Sequence, residues 1–170
     1  MRETLEDIER LQKVLDESYE GARPHLKSII TPERRLTANE VCQELQGMTL
    51  LALATVNSRG EPMVSPVDGI FFRGTFMFGS AYNSVRFQHI RKRPRVSATH
   101  TRGEELVVTM HGTARTIDKK VGDWEDLKEV FREVYGVDWD SWGYWDSDAP
   151  FAWIEPRAMF AASFKGLRQE

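Results

Sequence analysis

The sequence predicts a mainly β domain of antiparallel strands, with helices over the openings of the sheet. Three observations carry this. Short runs rich in Val, Ile, Leu and Phe follow one another between Leu50 and Ile117. Tight polar turns separate them, Asn57-Ser58-Arg59-Gly60 and Arg73-Gly74. Helical periodicity flanks this block and enters it only once, so the strands do not alternate with helices as β-α-β units would. Periodicity alone does not choose between a sandwich and a barrel.

From the N-terminus, Leu5, Ile8, Leu11, Leu15 and Tyr19 recur at helical spacing with charges opposite, an amphipathic helix over 4–20. Gly21 and Pro24 end it. Thr37-Ala38-Asn39-Glu40 fits a capping box and starts a second helix, which stops at Gly47. Strands follow at 49–56, 61–72 and 75–78. The segment 79–84 breaks the pattern, and 85–91 can form two helical turns that Pro94 terminates. A strand at 95–101 leads into a hairpin near Gly103-Glu104, which places His100 and His111 on paired strands but out of register. Asp123 is positioned to cap a third helix, with Trp124, Leu127, Phe131 and Val134 or Tyr135 as its apolar stripe. An acidic, aromatic loop spans 137–150, and 151–164 supplies a last strand interrupted at Pro156.

At 170 residues the chain reads as one domain, with a core large enough to need neither disulfide nor metal. It divides into a helical extension (1–47), core strands with the basic helix (48–117), and the helix, aromatic loop and last strand (118–170). The single cysteine, Cys42, excludes an intramolecular disulfide and any multi-cysteine metal site. A net charge of -3 argues against general nucleic-acid or anionic-membrane binding. No apolar run approaches ~18 residues, so no membrane helix is expected. The charged start M-R-E-T-L-E-D-I-E-R lacks the apolar core of a secretion signal, and a cytoplasmic protein is expected.

Two features of the middle block point to chemistry. Ser80, Ser84 and Arg86 surround a helix start, where hydroxyls, free amides and a guanidinium suit a phosphate. The residues alone serve equally well as ordinary turn and helix caps. In Met63-Val64-Ser65-Pro66-Val67, Pro66 lacks an N–H, which suits an edge, a bulge or a ligand-facing position.

Three segments in order resemble a known family: L-A-L-A-T-V-N-S-R-G-E-P-M-V-S-P-V, F-M-F-G-S-A-Y-N-S-V-R-F-Q-H-I-R-K-R-P-R-V-S and V-V-T-M-H-G-T-A-R. Over roughly residues 36–117 the chain is similar to the pyridoxamine 5'-phosphate oxidase-like split barrels, which bind flavin or deazaflavin. The resemblance implies a six-stranded antiparallel split barrel, a homodimer, and a cofactor at the subunit interface. It implies FMN, with a deazaflavin coenzyme as the alternative and haem as a minor one. The family's phosphate-binding Ser/Thr and Arg/Lys match Ser80, Ser84 and Arg86, although many relatives carry Lys where this chain has Arg86. By the same resemblance Val64, Ser65, Pro66 and Val67 lie against the cofactor ring. The implied activity is hydride transfer to or from a small planar substrate. The substrate-binding arginine and histidine of true pyridoxamine-phosphate oxidases have no match in F-A-A-S-F-K-G-L-R-Q-E, so that activity is not expected.

Other constellations carry less. Arg91, Lys92, Arg93 and Arg95 could extend the anion site, but cations near a helix C-terminus also complement its dipole. The four histidines show no metal-binding spacing, and His89 is expected to be structural. No catalytic triad is visible, which suits chemistry carried by a cofactor. Trp139, Trp142 and Trp145 in the 138–148 loop could wall a substrate pocket or a dimer interface.

Overall fold

The computed structural model describes residues 2–117, 124–136 and 150–165. Strands β1 (Met48–Val56), β2 (Pro62–Phe72) and β3 (Thr75–Gly79) form successive hairpins. Strands β4 (Arg95–Arg102), β5 (Leu106–Thr116) and β6 (Phe151–Ser163) complete a closed antiparallel barrel in the order β1-β2-β3-β6-β5-β4. Among the described residues five α-helices accompany it: α1 (Leu5–Glu20), α2 (Pro24–Ile29), α3 (Ala38–Glu44), α4 (Val85–Lys92) and α5 (Trp124–Tyr135).

Strand alternation sets the core. In β1, Thr49, Leu51, Leu53 and Thr55 point inward, while Met48, Leu50 and Ala52 face out. Phe71, Phe76, Phe78, Met110 and Val108 fill the same interior. A second cluster lies outside the wall, where α5 lays Trp124, Leu127, Val130 and Phe131 on Ile70, Phe72 and Phe151. The β2–β3 loop is a two-residue turn with both central residues left-handed, Arg73 (φ 52) and Gly74 (φ 78). That geometry matches the strand twist. The non-glycine strain at Arg73 is held from both sides: its carbonyl accepts from Arg10 Nη2 (3.1 Å), and its guanidinium pairs with Asp126 (2.6 Å).

The shortness of β3 explains why the barrel is split. It pairs with residues 69–72 of β2 and 151–153 of β6, so the remainder of each neighbour has an open edge. Register places these edges at opposite ends of the barrel. The edge of β6 is satisfied by α1 and the segment after α2. Ser18 Oγ accepts from Met159 N (2.9 Å), the Tyr19 hydroxyl accepts from Ala161 N (3.0 Å), and Leu36 N donates to the Ala161 carbonyl (3.1 Å). The edge of β2 faces α4.

Several expectations need correction. Pro24 starts α2 at the favoured first helical position as well as ending α1, and Pro32–Arg34 forms a further 3-10 turn. α3 ends at Glu44, earlier than Gly47, although its capping box at Thr37 is present. Pro156 does not interrupt β6. The strand runs through it, and the β5–β6 register shifts between His111 and Gly112, leaving Arg157 as the extra residue of a bulge. Gly112 makes this possible, because a Cβ there would stand 2.1 Å from the Glu155 carbonyl oxygen. Asp123, the 138–148 loop and the C-terminal residues 166–170 lie outside the described residues.

Candidate functional site

The segment between β3 and α4 is tied down along its length. Ser80 N donates to the Pro150 carbonyl (3.3 Å) and Ser84 N to the Ala81 carbonyl (2.9 Å). Arg91 Nη2 donates to the Tyr82 carbonyl (2.6 Å), and its guanidinium sits 4.2 Å from the centre of the Tyr82 ring. Arg91 therefore braces this loop. Arg93 instead donates to the Ser58 carbonyl in the β1–β2 turn (3.2 Å).

Helix α4 is anchored by Phe87 and Ile90, both buried, with the Phe87 ring 5.9 Å from that of Phe78. His89 Nδ1 lies 2.9 Å from Thr55 Oγ1 and fastens the helix to β1, the structural role expected of it. Ser84 is the N-cap: its oxygen accepts from Phe87 N (3.4 Å), which leaves its hydroxyl proton available to a ligand. The amides of Val85 and Arg86, in the first helical turn, have no acceptor within the helix. The Ser80 hydroxyl has no hydrogen-bond partner among the described residues.

Arg86 reaches from this first turn to the open edge of β2. Its Nη2 donates to the Pro66 carbonyl (2.8 Å) and to Ser65 Oγ (3.2 Å). Backbone N and O of one strand residue point to the same side, so the nitrogen of Pro66 also faces α4 and not β1. Its missing N–H costs no ladder bond, and the proline is where an edge strand tolerates one. Burial lowers the pKa of Arg86 and the nearby Asp68 carboxylate raises it. A guanidinium remains charged throughout the accessible pH range.

The structure thus joins Ser65, Pro66 and Arg86 directly, with Ser84 at the same helix start and Ser80 at the far end of the loop. Along β2 the side chains alternate. Val64 (66% exposed) and Pro66 project outward, while Ser65 turns in and Val67 (7% exposed) is part of the core. Only the backbone of Val67 can meet a ligand. Two residues of this neighbourhood escaped sequence reasoning. Asp68 continues the outward row of Val64 and Pro66, a period-two signal that was available. Tyr135, at the end of α5, has its phenol pushed up to about 12 by burial and by the Asp68 charge, and only the tertiary fold reveals that.

The remaining candidates have ordinary surroundings. His111 pairs in register with Ser97, their side chains 2.7 Å apart, and His100 lies opposite Val108, so the two histidines are out of register as expected. Burial and Arg157 lower the pKa of His111. Burial pushes the Cys42 thiol up to about 12 and leaves it unreactive. Among the described residues no three His, Cys, Asp or Glu side chains converge as metal ligands. No described helix is long and apolar enough to cross a membrane. A cavity of about 580 Å³ lies between α1, the β2–β3 hairpin, β6 and α5, and is lined by none of the residues expected at the cofactor site.

Comparison with known proteins agrees with this architecture. The fold is similar to conserved hypothetical protein Rv2991 from Mycobacterium tuberculosis (TM-score 0.67, 16% identity, 80% of this chain and 90% of that one). It is similar to HutZ, the haem storage protein from Vibrio cholerae (TM-score 0.60, 20% identity, 78% and 94%). An F420 reductase also matches (TM-score 0.51, 15% identity, 68% and 91%). A search among curated proteins returns no match. The family profile described as pyridoxamine 5'-phosphate oxidase matches residues 38–166. With that match over most of its length and the split barrel it encodes, the chain belongs to the pyridoxamine 5'-phosphate oxidase family.

Proposed function

We propose that this protein is a homodimeric oxidoreductase that binds FMN and transfers hydride between the flavin and a small planar organic substrate. One observation carries the reading: Arg86 is held by Ser65 and Pro66 at the open edge of β2, beside the free amides and hydroxyl of the α4 start. These groups fit a phosphate monoester. Arg86 supplies charge, Ser84 and Ser80 supply hydroxyl protons, and the first-turn amides supply further donors. The outward surface of Val64 and Pro66 and the backbone of β2 fit the face and polar edge of a planar ring. When bound, the flavin supplies the hydride-carrying centre, so the chain needs no nucleophile or general base of its own. Its residues bind, orient and exclude water.

The homodimer is part of the same proposal. Met48, Leu50 and Val64 expose apolar surface on one outer face of β1 and β2, with Ala52 and Pro66 between them in register. A second copy on this face would cover that patch and wall the ring site.

A second reading keeps the site and exchanges FMN for a deazaflavin coenzyme, and the likeness to the F420 reductase supports it. A third, supported by the likeness to HutZ, is a non-catalytic flavin- or haem-binding protein. Equilibrium titration of cofactor-free protein with FMN, the deazaflavin coenzyme and haem separates binding. Turnover with a chemical reductant and a quinone-type acceptor separates catalysis. FMN binding without turnover would leave a carrier, and binding of neither flavin nor deazaflavin would overturn the proposal.

A further inference from the structure

We propose that the cavity between α1, the β2–β3 hairpin, β6 and α5 is a second ligand site, built for a planar aromatic carboxylate. Its volume, about 580 Å³, lies within the roughly 300–1,000 Å³ of small-molecule sites. One wall is aromatic and apolar. Trp153 and Met77 are register partners on the outer face of β6 and β3, both half-buried, and Trp124 and Leu127 of α5, in the cluster Met77 packs against, line the same cavity. Rigid indoles and a polarisable thioether suit a flat ring.

The α1 side of the cavity presents an oriented cation. Asp7 lines the cavity and is only 5% exposed. Its Oδ2 accepts from Thr4 N and from Thr4 Oγ1 (2.9 Å each), and its Oδ1 accepts from Arg10 Nη2 (2.5 Å). The same Nη2 donates to the Arg73 carbonyl (3.1 Å). Arg10 is therefore pinned at one nitrogen, while its Nη1 and Nε have no partner among the described residues. A guanidinium held this way meets a carboxylate with little further ordering. The other charges on the lining are engaged: Arg73 with Asp126 (2.6 Å) and Glu155 with Arg115 (2.7 Å). An apolar slot beside a guanidinium with donors to spare suits a ring bearing a single carboxylate.

The test is calorimetric titration of the full-length protein with 2-naphthoate, and with 2-naphthylmethanol as the uncharged counterpart. Saturable binding of 2-naphthoate is expected, with roughly three- to tenfold weakening for the alcohol and for Arg10→Gln, as for loss of a charge-assisted contact screened by solvent, the Arg10 side chain being 55% exposed. Trp153→Leu should weaken both probes, while Arg86→Ala and added FMN should leave 2-naphthoate binding unchanged. No saturable binding, equal affinity for the two probes in the wild type, or loss of binding in Arg86→Ala would each overturn the assignment. The probe comparison needs no variant, so it stands even where Arg10→Gln fails to fold.

Discussion

Replacing Arg86 by Ala removes the cation that the structure fixes between the α4 start and the open edge of β2, at the candidate phosphate site. The magnitude follows from how that cation is held. Nη2 spans the Pro66 carbonyl at 2.8 Å and Ser65 Oγ at 3.2 Å, so the guanidinium is ordered before any ligand arrives. Charge-assisted hydrogen bonds contribute about 1.5–3 kcal/mol. Arg86 is half-buried, and solvent screening argues for the lower part of that range, or roughly 10–30-fold in FMN affinity. The assay is fluorescence titration of cofactor-free wild type and variant with FMN and with riboflavin, which lacks the phosphate. FMN should weaken by that factor while riboflavin changes little, and Arg86→Lys should fall between. The fold should survive, because the Pro66 carbonyl left without its donor lies on an exposed edge. Unchanged FMN affinity, or equal loss for FMN and riboflavin, would remove Arg86 from the phosphate site.

Three further outcomes are expected. Burial pushes the Asp7 carboxyl up, but hydrogen bonds from Thr4 and Arg10 outweigh it and hold the pKa below the ordinary 3.8. The resulting stability is present above the unfolded-state value and is lost as pH falls through the folded one; acid unfolding of Asp7→Asn, followed by circular dichroism, should therefore show a shallower loss below about pH 4 than wild type. Gly112→Ala puts a Cβ 2.1 Å from the Glu155 carbonyl oxygen, so denaturant melts should show destabilisation of about 1–3 kcal/mol or more as the bulge is forced apart. Val64→Glu places a charge in the exposed apolar row of β1 and β2, and sedimentation velocity should show the proposed dimer for wild type and a monomer for the variant.

The strands were legible because their alternation is strong and Asn57–Gly60 and Arg73-Gly74 are unambiguous turns. The capping box at Thr37 and the short basic helix were legible for the same local reason. The closure of the barrel was not, since nothing local in Thr75–Gly79 says that its shortness leaves β2 and β6 with open edges at opposite ends. That α1 satisfies one edge with Ser18 and Tyr19 is equally invisible to periodicity, which reads those residues only as the end of an amphipathic helix. At the site, Ser84 and Arg86 could be named from sequence, but the contact of Arg86 with Pro66 could not. It joins residues 20 apart and exists because the register of β2 on β1 leaves the carbonyl at position 66 facing away from β1. Asp68 could have been found by extending the outward row two residues. Arg10 could not, because its orientation depends on the buried carboxylate of Asp7 and the carbonyl of a distant turn.

The most direct test is a crystal structure of the chain grown with FMN. A dimer across the outer face of β1 and β2 is expected, with the phosphate within hydrogen-bond reach of Arg86 and Ser84 and the ring along residues 64–67. A phosphate bound away from Arg86, or a ring seated elsewhere on the barrel, would contradict this expectation.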